Sequence, residues 1–241
     1  MMKKLWILLL LVLLTGCASK QSYVSGNVSQ NQIVPALLFS DVNPSNSGQI
    51  ITIYDRRVLS NDGHGTTFDV EHIFISTKLP NEAARRDLYN LRPCNITINN
   101  SRGSLKFVEK PEGGTYGLYN GGWYPGDEDK GDVARALMYM AKTYDLKLSD
   151  MISPKLAVKW HQDDPVDSFE RKRANVIEAI QGNENPFIEN KDLAKKVYGE
   201  KNYTWLIIIG LAGAGFVTFY YVSKNKEALK KWLKSHTNIE R

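Results

Sequence analysis

Hydrophobic and polar positions divide this chain into two uninterrupted apolar runs and a long patterned middle. The first run, Leu5 to Leu14, follows Lys3 and Lys4 and is too short to span a bilayer comfortably. The second, Thr204 to Val222, is uncharged and matches the roughly 20 residues of a spanning helix. Between them, Gln49 to Tyr54 and Thr66 to Phe74 alternate with period two and predict strands, with a turn at Ser60 to Gly65. Asn81 to Leu91 predicts a short helix stopped near Pro93, and Asn95 to Ser101 is helix-compatible. Pro111 to Gly126 is rich in glycine and aromatics (Tyr116, Tyr119, Trp123, Tyr124) and reads as a loop. Gly131 to Tyr144 predicts a helix with Val133, Ala136, Leu137 and Met140 on one face. Ser153-Pro154 opens another toward Trp160, and Asp167 to Ile180 is amphipathic, ended by Gln181-Gly182-Asn183. Ala18 to Gly48, rich in Ser, Asn and Gln, reads as a tether in which Val34 to Phe39 is a short docking segment. There is no internal repeat; the fold class is α+β, with more helix than strand.

The two ends change the picture of where the middle works. Residues 1–17 have the form of a signal peptide. Its close, Leu14-Thr15-Gly16-Cys17, resembles a bacterial lipobox, which implies cleavage before Cys17 and diacylation of its thiol. An ordinary secretory signal and an N-terminal anchor helix are the alternatives. Residues 203–222 read as a transmembrane helix with Tyr203, Trp205, Tyr220 and Tyr221 at its two borders. The basic tail, residues 223–241, then lies in the cytoplasm by the positive-inside rule, and residues 49–202 form a domain on the outer side. Net charge is +5, but the two ends hold eight of the 31 Lys and Arg against two of the 26 Asp and Glu, which leaves residues 18–222 one charge negative. The basic excess therefore belongs to targeting and is no sign of a polyanion-binding domain. Of the two cysteines, a lipidated Cys17 leaves Cys94 without a partner, so the domain stands without a disulfide.

Glu71-His72 and Asn99 carry the chemistry. Phosphodiester hydrolysis needs a base that aims water at phosphorus and a cation that neutralises the leaving oxygen. His72 is a base suited to neutral pH; Glu71 and Asn99 offer hard oxygens to one divalent metal. That ion is Mg²⁺ first, with Mn²⁺ or Ca²⁺ as alternatives, because so few protein ligands leave positions for water and phosphate oxygens. One objection is that period two turns Glu71 and His72 to opposite faces unless the strand ends there. Other residues read as structural. His64 is an exposed turn residue, and His161 is a packed neighbour of Trp160. Asp163, Asp164 and Asp167 open a helix, and Gln181 to Pro186 is a supporting turn. Arg171-Lys172-Arg173 is a solvated face in which Arg171 and Arg173 are candidate phosphate contacts. Asp87 and Asn90 support the site from behind.

A longer set of motifs surrounds these residues: Val70-Glu71-His72, Asp87 to Pro93, Ile98 to Gly103, Lys130 to Met140, Trp160-His161 with Asp164 to Asp167, Glu170, Asn175, and Gln181 to Ile188. In this order, over residues 50–190, they resemble the endonuclease I family of bacterial nucleases, in the His-Me finger (ββα-metal) group. The resemblance implies two strands and a helix clasping a metal, packed with additional helices. It implies sequence-non-specific cleavage of DNA, and often RNA, to leave 5′-phosphate ends. By this resemblance His72 is the general base and Glu71 and Asn99 are the metal ligands. The family's phosphate-holding arginine has no clear counterpart; Arg85, Arg86 and Arg102 are its substitutes. Ile73-Phe74-Ile75 replaces the family's aromatic-proline step, and Glu184 stands where the family carries arginine.

The expectation is a metal-dependent endonuclease with DNA, and also RNA, as substrate. It contacts membrane lipid through Cys17 and residues 203–222, needs no protein partner, and sits at the inner membrane with its nuclease domain outside. The alternatives are an inactive membrane-bound nucleic-acid receptor or DNA-entry factor, and a phosphodiesterase for small substrates whose cleft the aromatic loop narrows.

Overall fold

The computed structural model describes residues 28–199 except Gly113. The signal segment with Cys17, the apolar run Thr204–Val222 and the basic tail lie outside the described residues, and among those described no helix is long and apolar enough to cross a membrane. In chain order the elements are α1 (Ile33–Ser40), β1 (Val42–Asn43), β2 (Asn46–Ile51), β3 (Val58–Ser60), β4 (Phe68–His72), α2 (Glu82–Arg85), β5 (Leu91–Asn95) and α3 (Ile96–Arg102). Then follow β6 (Gly117–Tyr119), β7 (Gly122–Tyr124), α4 (Lys130–Thr143), α5 (Pro154–Asp163), α6 (Ser168–Gln181), α7 (Pro186–Glu189) and α8 (Leu193–Tyr198). The α+β expectation holds. The strands form three small antiparallel sheets, β1-β2-β3, β4-β5 and β6-β7.

Helix α4 is the centre. Every residue from Gly131 to Ala141 is buried, so the helix is enclosed on all sides and not on the single stripe that its apolar periodicity suggests. Helix α5 packs along it, and α7 and the Leu88–Asn90 turn cover other sides. Its first turn approaches the end of α5 so closely that a Cβ at Gly131 would lie 2.1 Å from the Asp164 carbonyl oxygen, and the Gly131 N–H donates to Asp164 Oδ2 at 2.8 Å. The predicted caps are present. Ser153 accepts from Leu156 N, Asp167 from Glu170 N, and Gly182 ends α6 in the left-handed region at φ 81°.

Three expectations need correction. Residues 33–48 are not a tether: α1 lies on α6, and Asp41, with no exposed surface, pairs with Arg92 (2.7 Å) and Arg173 (3.0 Å). A run of Ser, Asn and Gln hides this, because the anchoring comes from a single carboxylate and an eight-residue helix. Pro111–Gly126 is not all loop: β6 and β7 meet across Asn120-Gly121, both at positive φ (49° and 73°), the two-residue hairpin turn that Asn-Gly favours. Pro93 does not stop a helix. It sits inside β5 opposite Val70, where proline lacks only a donor and its carbonyl accepts from Ile53 N at 2.9 Å.

Candidate active site

β4 and β5 form a hairpin-like pair with Glu71 opposite Arg92 and His72 opposite Leu91, and α3 follows β5 directly, its first turn capped by Asn95. This β-β-α unit carries all three residues of the expected chemistry. His72 is the last residue of β4, so the strand does end where the alternation objection required. Its Nε2 lies 3.0 Å from the Arg85 carbonyl oxygen. A carbonyl only accepts, so Nε2 carries the hydrogen and Nδ1 is left with the lone pair. Burial lowers the His72 pKa, and the charges of Arg102 and Arg85 act in the same direction against the Arg85 carbonyl. The ring is therefore neutral and basic at neutral pH. It lines a cleft of about 330 Å³ together with Arg85, Ser76 and Val70.

Glu71 points into the protein, only 3% exposed. Its Oε1 accepts from the Tyr54 hydroxyl at 2.8 Å and lies 3.2 Å from Arg102 Nη1. Burial raises the carboxyl pKa; Arg102 and Tyr54 oppose that rise. Tyr54 has φ 77°, a strained backbone for a residue with a side chain, and its N–H donates to Asp129 Oδ2 at 2.8 Å. Its place at the end of the alternating run Gln49 to Tyr54 gives no sign of a Glu71 contact 17 residues on, so sequence reasoning missed this role. Asn99, on α3, donates its amide nitrogen to the Val70 carbonyl at 3.4 Å, which leaves the amide oxygen as its remaining donor atom toward a cation. Among the described residues no three His, Cys, Asp or Glu side chains cluster to hold a metal.

The arginines separate clearly. Arg102 is 1% exposed and donates to the carbonyls of His72 (3.1 Å), Ile73 (2.6 Å) and Gly103 (3.0 Å), with its guanidinium 4.8 Å above the Phe107 ring. It fixes the chain leaving β4 and has no surface for a phosphate, which corrects its candidacy as the phosphate arm. Arg85 is the opposite case: its side chain is 40% exposed in the His72 cleft, held by Glu82 (3.0 Å) and the Leu79 carbonyl (3.2 Å). Arg173 is also corrected, since it is buried and donates to Asp41 and to the carbonyls of Leu88 and Leu91. A guanidinium can be placed there because Asp41 neutralises it. Arg171 is half exposed and pairs with Glu189 in a different cavity, beside His161, whose Nε2 is held by the Lys191 carbonyl.

Asp87 and Asn90 are both buried and fasten the chain between β4 and β5. Asn90 clasps Phe74 at both polar ends (2.6 and 3.0 Å), setting the segment just after His72. Asp87 is buried and accepts from Tyr139 (2.7 Å), Tyr144 (2.8 Å) and Gln181 (3.0 Å). Burial raises its pKa against these donors. Through Gln181, the turn after α6 therefore braces the loop before β5. Cys94 is buried and free, and burial pushes its thiol pKa up, so it is inert. None of Tyr116, Tyr119, Trp123 and Tyr124 lines the His72 cleft; Trp123 and Tyr124 are core residues.

The sequence is 34% identical over 206 residues to an extracellular ribonuclease of Bacillus amyloliquefaciens, covering 73% of this chain and 71% of the relative. It is 33% identical over 115 residues to an endonuclease-1 of Buchnera aphidicola subsp. Baizongia pistaciae, covering 44% and 46%. An extracellular deoxyribonuclease of Aeromonas hydrophila matches at 32% over 116 residues, covering 44% and 49%. The family described as Endonuclease I matches residues 22–192, which spans α1 through α7 and the whole β-β-α unit; the chain belongs to that family.

Proposed function

We propose that this chain is an extracytoplasmic endonuclease that hydrolyses phosphodiester bonds of DNA and RNA without sequence preference, leaving 5′-phosphate ends. The observation that carries the reading is the fixed ring of His72, whose Nε2–H is spent on the Arg85 carbonyl and whose Nδ1 is left basic in a cleft. Nδ1 takes the proton of the attacking water. Arg85 contacts a non-bridging phosphate oxygen from the same cleft. Arg102 and Tyr54 hold Glu71 in one position, and Asn90 holds the chain that follows His72.

The donor set of Glu71 and Asn99 fits a hard divalent cation, Mg²⁺ first: one desolvated carboxylate and one amide oxygen, with few protein ligands in all. Such an ion, when bound, supplies charge neutralisation at the leaving oxygen. The β4-β5-α3 unit supports assignment to the ββα-metal group. The relatives' names support both substrates: the wider match is called a ribonuclease and the shorter one a deoxyribonuclease. Attachment to the inner membrane through Cys17 and residues 203–222 rests on the lipobox-like sequence and the uncharged apolar length.

Incubating the chain with plasmid, single-stranded DNA and RNA, with Mg²⁺ or with chelator, tests the reading. Cleavage of each with Mg²⁺ and none with chelator is expected. Retention of nucleic acid without cleavage would instead establish the receptor alternative, and chelator-resistant cleavage would remove the metal.

A further inference from the structure

The His72 cleft continues along β4 to a second histidine that the reaction above leaves idle. His64 and Asp69 line the same cleft, with His64 Nε2 3.3 Å from Asp69 Oδ1 and the His64 ring tilted on Phe68 at 5.7 Å. A carboxylate only accepts, so Nε2 carries a hydrogen toward Asp69, and the protonated ring has a second N–H at Nδ1. That is an anion donor with its counter-charge already in place. Between the two histidines Val70 of β4 and Ile33 and Val34 of α1 form an apolar wall, while Gln30, Ser76 and Glu82, the last paired with Arg85, complete the lining. The repeat of a nucleic acid is phosphate, then sugar and base, then phosphate. Arg85 beside His72 is the donor at the other end, so donor, apolar wall, donor complements that repeat. The cleft of about 330 Å³ is at the small end of ligand sites, in the range of a single nucleotide. An apolar wall contacts a base face only when the base is unstacked.

We propose that His64, backed by Asp69, binds the phosphate next to the scissile one, and that Val34 and Val70 wall a subsite for the intervening nucleotide of an unpaired strand. This rests on the nuclease reading of His72. It also gives α1 a part in the site, as the wall facing the strand.

The test is kinetic and uses the full chain. A dinucleotide with one cleavable bond is compared with the same dinucleotide extended by one nucleotide at either end. One extension is expected to lower KM. In His64→Ala that gain disappears, a three- to tenfold rise in KM for the extended substrate relative to the dinucleotide, with no change in their kcat ratio. The slope of log KM against log salt for the extended substrate falls by about 0.7, the loss of one phosphate contact on a single strand. His64→Arg, which keeps a cation, retains both the gain and the slope. A large fall in kcat on the dinucleotide would overturn the subsite by placing His64 on the scissile phosphate. Equal changes in KM on both substrates, or none on either, would overturn it as well. If the unaltered chain cleaves neither substrate, or His72→Ala cleaves both normally, the nuclease reading fails and the subsite falls with it.

Discussion

Replacing Arg102 by methionine separates the two roles an arginine can have beside a phosphodiester site. Methionine keeps most of the side-chain volume over Phe107 and removes the guanidinium from Glu71 and from three carbonyls. Losing one partner of a buried ion pair costs about 3–5 kcal/mol. Glu71 escapes part of that by taking a proton. Protonation costs about 1.4 kcal/mol for each pH unit above the ordinary carboxyl value near 4.3, so the charge part is capped at about 3.7 kcal/mol at pH 7 and about 1 kcal/mol at pH 5. The carbonyl hydrogen bonds add about 1 kcal/mol each for His72 and Ile73, largely independent of pH. The expected loss is thus about 5–6 kcal/mol at pH 7 and about 3 kcal/mol at pH 5. The sign agrees with linkage. Burial already raises the Glu71 pKa, removing Arg102 raises it further, and the resulting stability is present at low pH and lost as pH climbs through the folded-state value. Urea unfolding followed by tryptophan fluorescence reads this, since Trp123 and Trp160 are buried. Adding Glu71→Gln to the same chain should recover the pH-dependent part alone. A stability change below about 1 kcal/mol at pH 7, joined to loss of cleavage, would refute the reasoning and return Arg102 to the substrate.

Three further outcomes are expected. His72→Ala lowers cleavage about 10²–10⁴-fold with metal affinity nearly unchanged, measured by Mn²⁺ titration; in the unaltered chain the acid limb of the rate profile lies below the usual imidazole value, because burial lowers the His72 pKa and the base acts when neutral. Asp41→Ala leaves Arg92 and Arg173 buried without it and costs about 3–5 kcal/mol in urea unfolding, whereas Arg171→Ala, at a half-exposed pair, stays within about 1 kcal/mol. Cys17→Ser abolishes lipid labelling but leaves the chain sedimenting with membranes, and removing residues 203–241 as well releases an active nuclease; a soluble but inactive product would mean that the site is not self-contained before Lys191.

What the sequence disclosed and what it hid have separate physical causes. Helices α4, α5 and α6 were legible because an apolar stripe with Ser-Pro, Asp or Gly at its ends is a local signal. His72, Glu71 and Asn99 stood out by residue type, and all three fall within the β4-β5-α3 unit. Arg102 and Arg173 were misread because charge alone suggests a surface; their carboxylate partners lie 31 and 132 residues away, beyond any local pattern. The β6-β7 turn was missed although Asn120-Gly121 announced it, because the neighbouring glycines and aromatics read as one loop. Tyr54 was read only as a strand end and His64 only as a turn residue, since each acquires its partner through the fold.

The buried pairing of Asp41 with Arg173 also sets an order of events in time. The two residues are 132 apart in sequence, and Arg92, the other partner of Asp41, sits in β5 beside β4. Closing so long a loop brings a large entropic cost before any contact rewards it. Until α6 arrives, α1 has only β1, β5 and the Leu88–Asn90 turn to lie against, and Arg173 is not there to share Asp41 with Arg92. The cleft whose wall includes Ile33 and Val34 is therefore completed late, once most of the domain is available to fold. For a nuclease exported before it folds, late closure would leave the cleft incomplete until α6 had arrived.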